Sequence, residues 1–164
     1  MPLAATIDVS VEDDRWVAAC PDAKTLIAAA AEAALAAAPR TDRRTVIGVV
    51  LADDSEQRRL NHTYRGRDEP TNVLSFALTE ADDASPEGEP LLLGDVVLAY
   101  ETVAREAAEQ QKPLPDHLCH LVVHGVLHLL GFDHEDDADA QIMEACEVEI
   151  LARLGVPDPY RDIM

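Results

Sequence analysis

Strand-like and helix-like segments intermingle along this chain, which predicts a single α/β (α+β) domain over residues 1–164, a mixed sheet of about four strands packed with about five helices. Three observations carry that prediction. Residues 45–52, TVIGVVLA, are apolar and β-branched almost throughout, as a strand buried on both faces must be. Residues 23–38, AKTLIAAAAEAALAAA, have strong helix propensity and stop at Pro39. Two further strand-like runs, Val73 to Leu78 and Leu91 to Tyr100, are joined directly by the acidic stretch 79–90, so they should pair antiparallel and make the sheet mixed.

The remaining elements follow in order. Ile7 to Val11, IDVSV, alternates apolar and polar residues and reads as a strand with one exposed face. Asp22 opens the alanine-rich helix. Asp53 or Asp54 can cap a helix over Glu56 to Tyr64, and YRGRDEPTN leads from it to the third strand as a loop. ETVAREAAEQQK forms a polar helix that ends before Pro113. Asp116 caps a nearly all-apolar, and therefore buried, helix running to Leu130, with Gly131 at its end. A last helix closes the chain. No internal repeat or domain linker appears.

Composition limits what such a domain does. At 164 residues it buries roughly two thirds of the surface its unfolded chain exposes, so no covalent staple is needed. Aromatics make up only 4% of the residues, which leaves the core to aliphatic side chains. Cys20, Cys119 and Cys146 are odd in number and far apart, arguing against a disulfide framework or a cysteine zinc site. Cys119 and Cys146 lie in apolar helical stretches and read as small buried hydrophobes. No leader peptide and no membrane-length apolar run is evident, so a cytoplasmic location is expected. The net charge of −19 opposes non-specific adhesion to nucleic acid or an anionic membrane, and neither DNA nor a membrane is an expected partner. Arg58, Arg59, Arg65 and Arg67 form the densest basic group and leave room for a local anion site.

The chemistry concentrates in DHLCHLVVHGVLHLLGFDH. His117, His120, His124 and His128 recur at spacings of three, four and four, which lines them along one helical stripe. A lone histidine on an apolar face is most often a hydrogen-bonded core residue. Two at i, i+4, with a third beyond a glycine, point instead to a metal. Their side chains start about 5–6 Å apart, close enough for both imidazoles to reach one ion. His134 cannot continue the same helix, because ten residues would carry it about 15 Å along the axis from His124. Gly131 supplies the turn that brings it back. Three histidines with one open position describe a catalytic zinc site, one ion per chain, held by His124, His128 and His134.

The spacing is that of the HExxHxxGxxH metalloproteases, but Gly125 stands where those enzymes carry their glutamate base. Without it the site keeps a Lewis acid and lacks the proton shuttle that peptide cleavage requires. Phosphodiester cleavage asks for a nucleophile and for positive charge on the phosphoryl oxygens, and Arg65, in the loop entering a central strand, is the candidate for the second role.

At these residues the sequence resembles the YbeY endoribonuclease family, whose HGxLHLxGYDH pattern is matched by His124 to His134. LNHTYRGRDEPTNVLSF (Leu60 to Phe76), LGDVVLAYETVAREA (Leu93 to Ala107) and Asp158–Pro159–Tyr160 are similar to further family segments. The resemblance implies a zinc-dependent endoribonuclease acting on single-stranded RNA in 16S rRNA 3'-end maturation and ribosome quality control. It implies His124, His128 and His134 as zinc ligands and Arg65 as an active-site arginine. His120 matches a position often histidine in the family, serving either behind the ligands or in proton transfer. Phe132 and Arg67 depart from the usual Tyr and Lys without removing a ligand. Since −19 suits tight RNA binding poorly, the ribosome or a ribosomal protein is an expected partner that delivers the substrate. The alternatives are a metalloprotease-like zinc hydrolase and a non-catalytic, zinc-containing ribosome assembly factor, in which Asp133 closes the metal shell.

Overall fold

The computed structural model describes residues 6–37, 45–65, 72–77, 91–132 and 136–160. In chain order the elements are β1 (Thr6–Val11), α1 (Arg15–Ala19), α2 (Ala23–Ala37), β2 (Thr45–Ala52), α3 (Asp54–Arg65), β3 (Val73–Ala77), β4 (Leu91–Ala99), α4 (Tyr100–Glu109), α5 (Leu114–Leu129) and α6 (Asp137–Arg153). The sheet order is β1-β2-β4-β3. β1 and β4 flank β2 in parallel, and β3 pairs antiparallel with β4, so the sheet is mixed as the acidic junction predicts.

β2 is interior, and its side chains divide between two layers. Ile47, Val49 and Leu51 join Leu93, Val96 and Leu98 of β4 in the main core, where α2 and α5 cover them. Val50 and Ala52 face the other way, with Val97, Leu74 and Phe76, beneath Leu60 of α3. The alanines at 30, 31 and 34 are fully buried, so the small face of α2 lies directly on the core. α5 is buried by Leu118, Val122, Val123, Val126 and Leu127, all at 0% exposure. Each such side chain contributes ~1.5–3 kcal/mol, so packing rather than propensity holds this helix.

Several local expectations change. α1 has no periodic signal in the sequence; it exists because Trp16 is fully buried and its indole N–H donates to the Ala52 carbonyl at 2.8 Å. It brings the helices to six among the described residues, against about five expected. Tyr100 begins α4 rather than ending β4. α5 starts two residues early, after Pro113, and Asp116 sits in its first turn without capping it: proline at N2 already suits the helix start. Asp53 does cap α3, accepting from the Glu56 N–H at 2.7 Å. Cys119 is buried, as expected, whereas Cys146 is only half-buried. No helix among the described residues is long and apolar enough to cross a membrane.

Two contacts aim the helices that frame the site. Asp54 accepts from the Thr102 N–H and hydroxyl at 3.1 and 3.0 Å, while Glu101 accepts from the Asp54 N–H at 2.9 Å, which locks the starts of α3 and α4 together. Gly125 lets α5 lie flat on the sheet. A Cβ there would stand 2.7 Å from Val96 Cγ1, and Ser75 Oγ donates to the Gly125 carbonyl at 3.0 Å.

Candidate active site

The four histidines of α5 form one stripe, each at helical spacing from the next, with ring centroids 6.2, 6.4 and 4.7 Å apart. The opposite face of the helix is core, so the stripe turns toward α4, α6 and the segment ending at Tyr160. What each ring meets there differs, and the differences assign their roles.

His117 is 3% exposed and bonded through Nε2 to Glu106 at 3.0 Å. Glu106 also accepts from Asn72 Nδ2 at 3.0 Å, so this cluster ties α4, α5 and the start of β3 together. Burial holds the His117 pKa below its usual 6.5, outweighing the Glu106 carboxylate, and the ring is a neutral core histidine. His124 and His128 meet each other instead: their Nε2 atoms lie 3.2 Å apart. Two imidazole nitrogens on one tetrahedral ion, with bonds of ~2.0–2.1 Å, stand about 3.3 Å apart.

Glu147 of α6 fixes the tautomer of His124. Its carboxylate is fully buried and accepts from His124 Nδ1 at 2.8 Å on one oxygen, and from His120 Nε2 at 2.8 Å and the Tyr160 hydroxyl on the other. Burial alone would raise its pKa; the bonds from His120, His124 and Tyr160 outweigh that and hold it at about 2. An ionised carboxylate only accepts, so the ring proton of His124 sits on Nδ1 and the lone pair on Nε2. That is the arrangement of a carboxylate-oriented metal ligand. The Tyr160 hydroxyl in turn is pushed well above the usual phenol range by burial and by Glu147, and it stays a donor.

The sequence-predicted residues are thus partly assembled. His124 and His128 converge. His120 lies behind them, its Nε2 on Glu147 and near the Tyr160 oxygen at 3.2 Å, and its Nδ1 buried with no partner among the described residues. Arg65 is the last residue of α3, and its side chain lies outside the described part of the structure. His134 and Asp133 lie outside the described residues altogether, and Arg67 does too. Among the described residues no three His, Cys, Asp or Glu side chains form a metal-binding group. Gly131, at φ 104°, makes the left-handed turn that ends the helix, with the Phe132 N–H returning to the Leu127 carbonyl at 3.0 Å.

Glu147 and Tyr160 were not among the residues that spacing singles out, although Glu147 carried a signal. Met143, Glu147, Ile150 and Leu151 make up the buried stripe of α6, and an acid on such a stripe is almost never buried unless it is paired.

Comparison with known proteins bears on the same residues. A family model described as Endoribonuclease YbeY matches residues 10–155. The Endoribonuclease YbeY of Paramagnetospirillum magneticum is 50% identical over 161 residues, covering 98% of each chain. That of Magnetococcus marinus is 60% identical over 120 residues, covering 70% of this chain and 82% of the other. The solution structure of TM1509 from Thermotoga maritima superposes with a TM-score of 0.54 at 20% identity, covering 96% of this chain and 97% of that one, a likeness of fold.

Proposed function

Since the chain belongs to the YbeY endoribonuclease family, we propose that it is a zinc-dependent endoribonuclease that cuts single-stranded RNA, acting in the cytoplasm in 16S rRNA 3'-end maturation and ribosome quality control. The observation that carries the zinc part is the 3.2 Å approach of His124 Nε2 to His128 Nε2 with Glu147 on the Nδ1 of His124. This donor set fits zinc: neutral imidazoles, one with its tautomer fixed by a carboxylate, presented from a rigid helix. His124, His128 and His134 would hold the ion, one per chain. When bound, it supplies a Lewis acid at the scissile phosphodiester.

The chain's own residues do the rest. Glu147 keeps His124 turned toward the site. Gly125 carries no side chain where a Cβ would stand only 2.7 Å from Val96 Cγ1 and 3.2 Å from Ser75 Oγ; a glutamate base of the metalloprotease kind would be crowded there, which favours the nuclease over a peptidase. Arg65 places a guanidinium on the phosphoryl oxygens, where charge grows in the transition state. His120 serves through Glu147, since its Nε2 is committed to that carboxylate. With a net charge of −19, the domain repels RNA at long range, and a ribosomal partner that presents the strand offsets this.

The test is direct. Purified protein is incubated with a short single-stranded RNA and with a casein-type peptide, with and without chelator. Cleavage of the RNA alone, lost on chelation and restored by zinc, is expected; peptide cleavage, or RNA cleavage indifferent to verified metal loss, overturns the reading.

A further inference from the structure

We infer that Tyr160 is a positioning residue for the zinc site just proposed, acting through Glu147 from a segment beyond the last helix. The inference rests on that zinc reading and adds to it a dependence on residues 158–160.

Glu147 needs help to orient His124. The terminal torsion of a glutamate is broad, so its own rotamer leaves the carboxylate plane free to swing. The bond from His124 Nδ1 to one oxygen, at 2.8 Å, fixes a single point of that plane. The plane is set only when the other oxygen is also held, and two donors hold it: His120 Nε2 and the Tyr160 hydroxyl. His120 is a poor anchor by itself, because its remaining nitrogen, Nδ1, is buried with no partner among the described residues. Its ring is located by Glu147 and by Tyr160, whose aromatic plane meets it edge-on at 5.4 Å and 84°.

Tyr160, by contrast, is anchored from outside the cluster. Its N–H donates to Asp158 Oδ1 at 2.8 Å, and Lys112 Nζ, just past α4, donates to the Pro159 carbonyl at 3.0 Å. The residue is 44% exposed, so it buries too little apolar surface to explain its place as core packing. Its hydroxyl, not its ring, makes the contact that matters. The order of dependence runs from Lys112 through the Asp158–Tyr160 segment and Glu147 to His124.

The experiment uses full-length Tyr160→Phe, which keeps the ring and removes the hydroxyl. Zinc affinity is measured by competition with a chromogenic chelator, and the visible absorption of the cobalt-substituted protein reports ligand geometry. The expected result is a fall in zinc affinity of about tenfold, the low end for loss of a group behind a metal ligand, with altered cobalt bands. Parent-like affinity and bands, even with a lowered melting temperature of the metal-free protein, mean that the hydroxyl is merely structural and overturn the proposal. Lys112→Met loosens the segment from a distance and keeps the test decisive if Tyr160→Phe does not fold: a smaller affinity loss supports the proposal, and none overturns it. Tight zinc binding that His128→Ala abolishes while Tyr160→Phe leaves it intact overturns this inference alone. Failure of the parent to bind zinc overturns the underlying reading as well.

Discussion

Replacing Gly125 by alanine opposes two effects of known sign. Alanine in a helix interior is favoured over glycine by ~0.8–1 kcal/mol. The new methyl, however, lands 2.7 Å from Val96 Cγ1, 3.1 Å from Val96 Cγ2 and 3.2 Å from Ser75 Oγ. Val96 is fully exposure-free in a central strand and β-branched, so its methyls have no alternative rotamer to retreat into, and overpacking of this kind costs ~1–3 kcal/mol. The clash wins by roughly 1 kcal/mol. In a domain of this size that lowers the melting temperature of metal-free protein by about 2–4 °C. Thermal unfolding followed by circular dichroism in excess chelator measures it, and Val96→Ala in the same chain should remove most of the penalty that Gly125→Ala adds. A melting temperature raised by Gly125→Ala would mean that propensity dominates, that α5 does not sit tightly on β4, and that the steric argument against a glutamate base fails.

Other perturbations read the site itself. Purified protein should hold one zinc per chain and His128→Ala should lose it; undiminished metal in that variant refutes the ligand assignment. Free zinc at a hundred times its Kd should stabilise the fold by ~2.7 kcal/mol, a rise of roughly 5–10 °C that chelation reverses, and equal melting with and without verified metal loss would deny the coupling. Arg65→Ala should slow RNA cleavage on the order of a hundredfold or more at unchanged zinc content and melting temperature, with Arg65→Lys rescuing only partly; a parallel loss of stability would make Arg65 structural. For pH, burial depresses the His117 pKa from 6.5, so the unfolded chain binds the proton more readily. Stability from this group is therefore complete above pH 6.5 and falls as pH drops below it. His117→Asn should flatten that part of the profile, and an unchanged slope would show that His117 is not held neutral.

The parts of this fold that sequence makes legible are those where one local rule decides. The apolar run of β2, the alanine face of α2 and the glycine stop at 131 each answer to a single requirement, and each is where it was expected. The i, i+4 histidines are legible for the same reason, since helical geometry alone brings His124 and His128 together. What sequence hides is tertiary. α1 exists because Trp16 finds the Ala52 carbonyl 36 residues away, which no window around Arg15–Ala19 reveals. Glu147 reads as one more acid among 32 Asp and Glu until α6 is laid against α5. Tyr160 has no periodicity to betray it; the family resemblance marks Asp158–Pro159–Tyr160, and the bond to Glu147 explains it. In the sequence Gly125 stands as a missing base, whereas its structural meaning is the close approach of helix and sheet.

That double meaning of Gly125 explains how the His124–His128 pair obtains its rigidity. The residues that alternate with the histidines on α5, among them Val122, Val123, Val126 and Leu127, are fully buried, so the backbone carrying His124 and His128 moves only if the core moves. Gly125 sits between His124 and His128 and accepts through its carbonyl from Ser75 of β3, which registers the helix against the sheet beside the paired rings. A pair built this way needs no metal to bring its two imidazoles together; the core's burial energy has already done so. On the proposed reading, zinc would have to recruit only His134, beyond Gly131. The consequence separates this chain from small domains that fold on their metal: stripped of zinc, it should keep a cooperative unfolding transition and the slow hydrogen exchange of the α5 amides. Fast exchange throughout α5 in the metal-free protein would contradict a core-built site.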